Sequence, residues 1–306
     1  MNIFVTGGTG FIGKNIYEYF NEKYTIFSPS HVELDLLDEN AVSQYIKKHK
    51  IGTIIHCANR GGDRATTDLS YVVRDNLRIF FNIVRHADSL DKIIYFGSGA
   101  EYDKNRNLSK IKEEEFGQCI PKDDYGFYKY VCANFTEKSK NIINLRLFGV
   151  FGKYENCYFR FISNAIVRNI LGLDIILNQN VVFDYIYIQD LLEILDYFIK
   201  NKPKHKTYNL SPNKSISLLE VSDIINSVSS KKSSIKIIND GLNYTYSGDN
   251  SRLKTELGDF KFSTYRSSIR NLFDFYKQNM HLIDDKKIAS NEYLNKCSPS
   301  SSLSKF

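Results

Sequence analysis

The sequence predicts an α/β chain: a doubly wound parallel sheet with helices on both faces, followed by a smaller C-terminal α/β lobe. Three observations carry this. Short apolar runs rich in β-branched residues alternate with segments of helical periodicity through the first half of the chain. Four glycines, Gly7, Gly8, Gly10 and Gly13, stand between the first apolar run and the first helical segment. After about residue 150 the strand and helix patterns shorten and mix, as in an appended lobe.

The strand-like runs of the first half are NIFVT (2–6), YTIF (24–27), GTIIHCA (52–58), KIIYFG (92–97) and INLRLF (143–148). Helical periodicity covers 11–21, 39–49, 68–87, 124–138 and 157–171. Further on come VFDYIYI (182–188), a helix over 189–200, TYNLS (207–211), a helix over 217–228, IKII (235–238) and a helix over 264–278. This reads as a first domain over 1–150, to which 183–200 return, and a second lobe from 151–182 and 201–278. The Ser- and Lys-rich segment 279–306 reads as a mobile tail.

The composition excludes several classes. The chain has 306 residues, is 42% hydrophobic and carries a net charge of +6, which describes a globular protein with ample core. No apolar run approaches the ~20 residues of a membrane span. The N-terminal apolar run leads straight into the glycines, without the basic start of a signal peptide. Cys57, Cys119, Cys132, Cys157 and Cys297 show no paired spacing, which argues for reduced thiols in a cytoplasm and against a metal site. Lys and Arg are scattered and do not form a basic, aromatic-laced stripe, so no nucleic-acid partner is expected.

The glycines lie on a strand-to-helix turn. Unpaired amide N–H groups at a helix start carry positive partial charge and suit a phosphate. Gly7 allows a tight turn, Gly10 lets a pyrophosphate approach the backbone, and Gly13 lets the helix lie on the strand. Further along, Tyr125 and Lys129 are four apart on a helical segment and so share a face. A phenol ordinarily ionises near 10, and a neighbouring ammonium brings it closer to a working pH.

The TGGTGFIG turn, the HCA segment at 56–58, Ser98 after the fourth strand and the Tyr125-x-x-x-Lys129 pair before the fifth occur in one order. In that order they resemble the extended branch of the short-chain dehydrogenase/reductase superfamily, over roughly residues 1–275. The resemblance implies a Rossmann-type fold, a nicotinamide cofactor and a homodimer through the helices at 68–87 and 124–138. It gives Ser98, Tyr125 and Lys129 the catalytic roles. Ser98 bonds the substrate carbonyl, Tyr125 exchanges the proton, and Lys129 also reaches the nicotinamide ribose. It gives the cofactor Gly7, Gly10, Phe11, Ile12, Gly13, Ser28, His31, Asp35, Leu36, Cys57, Ala58 and Asn76. Asp35 and Leu36 resemble the pair beside the adenine, and Asn76 an asparagine that holds neighbouring strands by backbone bonds. His56 reads as structural. Where an acid would select NAD, the second strand ends Ser28-Pro29-Ser30-His31, so NADP(H) is favoured and NAD(H) remains possible.

The family acts largely on nucleotide-activated sugars, so the expected substrate is a nucleoside-diphosphate hexose or heptose of the kind that feeds surface-polysaccharide synthesis. Gly99 and Ala100 stand where the dehydratases of the family carry their acid pair, and Glu101 is one position late. The SPSHVELDL segment and Gly61-Gly62 resemble GDP-fucose synthase and the 4-keto-6-deoxysugar reductases. Ala100 and Arg160 stand where the former carries its epimerising Cys and His. A plain 4-keto reductase follows, with Gly99, Ala100 and Arg160 at the substrate and Arg160, with Arg168 as a candidate, on the diphosphate. Phe183 stands where Arg is usual in the family, and Gly149 where many relatives have Asn. A nucleotide-sugar 4-epimerase and a non-catalytic cofactor-binding protein are the alternatives.

Overall fold

The computed structural model describes residues 1–61, 66 and 69–297. In chain order the strands are β1 (Asn2–Thr6), β2 (Thr25–Phe27), β3 (Thr53–His56), β4 (Lys92–Ser98), β5 (Leu108–Ile111), β6 (Ile142–Leu147), β7 (Gly149–Phe151), β8 (Ile175–Asn180), β9 (Val182–Phe183), β10 (Tyr185–Tyr187), β11 (Thr207–Leu210), β12 (Ile216–Ser217), β13 (Ile235–Leu242) and β14 (Tyr246–Gly248). The helices are α1 (Phe11–Phe20), α2 (Glu39–Lys48), α3 (Val72–Val84), α4 (Asp124–Lys138), α5 (Phe161–Ile170), α6 (Ile188–Lys200), α7 (Leu218–Val228), α8 (Ser251–Leu257), α9 (Tyr265–Gln278), α10 (Asp285–Ser290) and α11 (Glu292–Asn295).

Six strands form the central sheet in the order β11-β6-β4-β3-β1-β2, and every neighbouring pair is parallel. From β1 the chain builds outward to β2 on one side and to β3 on the other. That reversal opens a crevice at the C-terminal ends of β1 and β3, where ligands bind in such sheets. Strand residues alternate between two cores, as a period of two requires. Phe4, Ile54, Ile93 and Ile142 pack against α2, α3 and α4 through Val42, Ile46, Phe80, Ile83 and Cys132. Ile3, Val5, Ile55, Ile94 and Leu145 pack against α1 and α6 through Ile16, Phe20, Leu191, Leu195 and Phe198. Burial on both faces explains why these strands read as nearly continuous apolar runs.

The second lobe has its own core, in which α5, α7 and α9 bring Ile166, Val167, Val221, Ile225, Ile269 and Leu272 together over β8. Four expectations differ from what is seen. The VFDYIYI run divides into β9, beside β12 and β14, and β10, beside β7. The TYNLS segment, assigned to this lobe, instead supplies β11, the edge strand of the central sheet, in register with β6. Its apolar face, with Tyr208 and Leu210, is complementary to the α6 side of that sheet. The helix expected over 157–171 starts only at Phe161. The segment expected to be mobile from 279 continues as α10 and α11, which bury Ile288 and Tyr293 in the lobe core. Arg168 fixes it there, donating to the carbonyls of Asp174 at 2.6 Å and Ile288 at 2.9 Å. Residues 298–306 of the expected tail lie outside the described residues. Because Ile288 is fully buried, Ile288→Ala will lower stability by about 2–5 kcal/mol in urea unfolding, whereas a loose tail would leave the midpoint unchanged.

Candidate active site

The glycine turn is shaped by close approaches. Gly7 has φ +70°, and a Cβ there would stand 2.8 Å from the Ala58 Cα on the neighbouring strand end. A Cβ at Gly13 would stand 2.7 Å from the Gly8 Cα, so α1 leaves the sheet without a gap. No side chain caps α1 at Gly10, and no acid lies in its first turn, which opens at Phe11 and Ile12. By contrast Asp38 caps α2 and Asp123 caps α4. The α1 start therefore keeps its N–H groups for a phosphate ligand, and the cradle fits the pyrophosphate of a dinucleotide.

The end of β3 is bound to this turn by Thr6. Its hydroxyl accepts from Cys57 N at 3.2 Å and Ala58 N at 3.1 Å, and it lies 2.7 Å from His56 Nδ1. With both lone pairs used, Thr6 donates to Nδ1, which makes His56 a neutral ring with its proton on Nε2. Burial, helped by the Lys129 charge, pushes His56 down to about 3. His56 is thus a packing and hydrogen-bonding residue. Burial likewise pushes the Cys57 thiol well up, so it stays protonated. Asn76 is buried and spends its amide on the Arg60 N–H at 2.8 Å and on the Arg60 and Val72 carbonyls at 2.8 Å each. Among these described contacts it acts on the loop after β3, not directly on neighbouring strands. Gly62 of the double glycine lies outside the described residues.

At the end of β2, the Ser28 hydroxyl turns inward. It lies 3.4 Å from the Val5 carbonyl and fills the space beside Gly8. Glu33 folds back to accept the Ser30 N–H at 2.7 Å, which holds its carboxyl below the usual range. His31 and Asp35 are exposed. Asp35 accepts from Leu37 N at 2.9 Å, while the Leu36 carbonyl accepts from Asn82 at 2.9 Å.

The catalytic candidates meet at the C-terminal end of β4. Ser98 is the last residue of that strand and is 6% exposed. A short 3-10 turn, Gly99–Tyr102, follows it. Lys129, buried on α4, donates to the Phe96 carbonyl at 2.6 Å, two residues before Ser98, and its ammonium sits 4.6 Å from the centre of the Tyr95 ring. Tyr125 lies one turn earlier on the same helix face and is half-buried. Gly126 lets the two elements meet: a Cβ there would stand 2.9 Å from the Ala100 carbonyl oxygen. Tyr128 is a packed neighbour whose hydroxyl donates to Asn59, and the Tyr130 ring packs at a tilt against Phe116.

Glu101 is not free for acid–base work. Its Oε1 accepts the Ser98 N–H at 2.9 Å, Asn144 donates to its Oε2 at 3.2 Å, and Arg146 Nε is bonded to that same oxygen, all with no exposure of either charged side chain. Arg146 in turn donates to Tyr102 Oη at 2.7 Å, and Tyr102 to Asn209 of β11 at 2.8 Å. Arg160 is exposed at the start of α5, open to a ligand, whereas Arg168 is used by backbone carbonyls and is not available to a diphosphate. Between β7 and α5, burial pushes the Glu155 carboxyl up to about 7, and Ser163 donates to it. It lies within the lobe and joins α5 to α9 through Tyr276, which donates to its carbonyl at 3.2 Å. The Tyr185 ring occupies the space beside Gly149.

Tyr246 is a site residue that sequence reasoning missed. Its hydroxyl lies 3.5 Å from Ser98 Oγ, and its ring packs on Phe148 and Phe183. No motif marks it, since it arrives from the second lobe on β14, 148 residues after Ser98.

A phosphate cradle at the sheet's switch point, with a serine, a tyrosine and a lysine beside it, defines a nucleotide-dependent oxidoreductase. The sequence profile of the NAD dependent epimerase/dehydratase family matches residues 3–211. The chain belongs to that family, and is an NAD(P)-dependent enzyme of the nucleotide-sugar type. It is 26% identical to the GDP-L-colitose synthase of Yersinia pseudotuberculosis over 229 residues, 67% of this chain and 74% of that protein. It is 24% identical to the GDP-6-deoxy-D-talose 4-dehydrogenase of Aggregatibacter actinomycetemcomitans over 299 residues, 89% of this chain and 97% of that protein. The solved structure of a GDP-mannoheptose C4 reductase from Campylobacter jejuni with NADP bound superposes with a TM-score of 0.76, at 18% identity, covering 90% of this chain and 98% of the other.

The state of His56 sets a pH dependence. The unfolded imidazole takes a proton near 6.5 and the folded one near 3, so between these values the unfolded chain binds more protons. This contribution to stability is whole above 6.5 and is lost as pH falls toward 3, at up to about 1.4 kcal/mol per pH unit. Urea unfolding across that range will show a shallower pH slope for His56→Gln than for the wild type; equal slopes would refute the assignment.

Proposed function

We propose that the chain is an NADPH-dependent reductase that converts the ketone of a nucleotide-linked 4-keto-6-deoxy hexose or heptose to an alcohol. The observation that carries this reading is the corner after β4. Ser98, Tyr125 and Lys129 supply carbonyl chemistry, while Gly99 and Ala100 offer no acid or base and Glu101 is bound to Arg146. That set suits reduction and lacks the groups for eliminating water. The Aggregatibacter relative is, by its name, a 4-dehydrogenase of a nucleotide-linked 6-deoxy sugar, which is the same redox chemistry at the same carbon.

The nicotinamide, when bound, supplies a hydride to C4 of the sugar. The α1 start and the Gly7–Gly13 turn hold the pyrophosphate, and Lys129 bonds the ribose. Ser98 donates a hydrogen bond to the ketone oxygen, and Tyr125 gives that oxygen its proton. Lys129, one turn after Tyr125 on α4, holds its ammonium on the Phe96 carbonyl beneath Ser98. Arg160, exposed at the start of α5, suits the sugar diphosphate. The exposed His31 imidazole, on a loop Ser28–His31 that itself carries no acid to select NAD, favours a 2′-phosphate. A homodimer through α3 and α4 fits the partly exposed Phe127 and Phe135.

The test mixes purified protein with NADPH or NADH and 4-keto-6-deoxy sugars made in situ from GDP-mannose, CDP-glucose and dTDP-glucose. Stoichiometric loss of the reduced-nicotinamide absorbance with one sugar, faster with NADPH, is the expected result. Tyr125→Phe will lower kcat by about 10²–10⁴-fold with cofactor affinity retained. No loss with any sugar, with co-purifying NAD and a sugar whose NMR spectrum changes without net redox, would replace the reductase with a 4-epimerase.

A further inference from the structure

Ser98 Oγ accepts the Ala100 N–H at 3.1 Å, and Tyr246 Oη stands at its other side, 3.5 Å away. A hydroxyl oxygen has two lone pairs and one proton. If the phenol donates, both lone pairs of Ser98 are engaged and its proton is left for a third group. If Ser98 donates to the phenol, a substrate ketone receives nothing from the serine. We propose that Tyr246 is a positioning residue: it donates to Ser98 Oγ and thereby fixes the serine hydroxyl as a donor to the substrate oxygen that Tyr125 protonates.

The placement of Tyr246 is built. On β14, the next residue, Ser247, accepts the Lys110 N–H at 2.8 Å and donates to the Leu108 carbonyl at 3.3 Å. Gly248 N donates to the buried Asp184 carboxylate at 3.0 Å. The Tyr246 ring lies 5.2 Å from Phe148 and 5.9 Å from Phe183, centre to centre. Burial in this aromatic nest pushes the phenol well above its ordinary value, so it keeps its proton and stays a donor. Position 99 is matched to it. A Cβ at Gly99 would stand 2.8 Å from Tyr246 Oη and 2.6 Å from the Phe148 ring, so any side chain there would displace the phenol. The 3.5 Å separation is long for an O–H···O bond, as catalytic contacts often are before substrate tightens them.

The inference rests on the carbonyl chemistry proposed above, and the experiment separates the two. Tyr246→Phe keeps the ring and removes the donor. It is compared with Ser98→Ala and the double variant as holoenzymes, on the sugar that the wild type reduces. Tyr246→Phe is expected to lower kcat/KM about tenfold, the worth of one hydrogen bond, chiefly in kcat. In the Ser98→Ala background the same change is expected to be silent, because the hydroxyl it orients is gone. An equal loss in both backgrounds would mean a merely structural phenol and would overturn the proposal, as would an unchanged kcat/KM in the single variant. If the wild type instead epimerises, the same cycle measured on that turnover tests Tyr246 by the same two outcomes, while the reductase reading alone falls. A wild type inert toward every sugar overturns both.

Discussion

Two full charges, Glu101 and Arg146, are withdrawn from water beside the C-terminal ends of β4 and β6 and neutralise each other there. Such a pair adds little net stability, because desolvation offsets the attraction, but leaving either partner alone costs about 3–5 kcal/mol. What the pair provides is position. The carboxylate holds the Ser98 amide, and the guanidinium lies over the Tyr102 and Phe116 rings, 4.8 and 4.4 Å from their centres. Through Tyr102 and Asn209 the network reaches β11, and the main-chain N–H of Asn209 continues it to Glu113 at 2.8 Å. Three strands of the central sheet are thus fixed relative to the serine by hydrogen bonds with defined directions. One guanidinium nitrogen, Nη2, has no hydrogen bond and stands 3.7 Å from Glu137, so the network is nearly but not fully satisfied.

The same pair also takes Glu101 out of the crevice. Three residues after Ser98, its carboxylate is turned inward to Arg146. The space it might have entered is taken by aromatic rings: Phe148 and Tyr246 close against Gly99. The corner therefore brings the hydroxyls of Ser98 and Tyr246 together. On the opposite side of the crevice the α1 start offers N–H groups without a competing cap. The uncapped α1 start and the Ser98 corner are separated along the C-terminal edge of one sheet, with Thr6 and His56 as the neutral connection between them.

Most of the first domain was legible because its signals are local. The glycine turn, the alternation of strands and helices, and the Tyr125–Lys129 spacing each depend on residues a few positions apart, and strands buried on both faces announce themselves by apolar runs. Ser98 was legible only through its order among these motifs. The assignment of TYNLS to the second lobe failed because a four-residue apolar strand carries no information on which sheet it joins; that choice lies in the register with β6. The tail failed because its polar composition masked two anchors, Ile288 and Tyr293, whose burial depends on a cavity made by other segments.

By itself, then, the sequence determined the sheet, the glycine turn and the shared helix face of Tyr125 and Lys129, since short-range sterics and helical periodicity suffice for each. The tertiary structure alone decided what Glu101, Arg168 and Tyr246 do. Glu101 meets a cation 45 residues away, Arg168 is used by a carbonyl 120 residues away, and Tyr246 reaches Ser98 across 148 residues. A charged or phenolic side chain has many possible partners in sequence, and which one it meets is set by the packing that brings distant segments within a few ångströms.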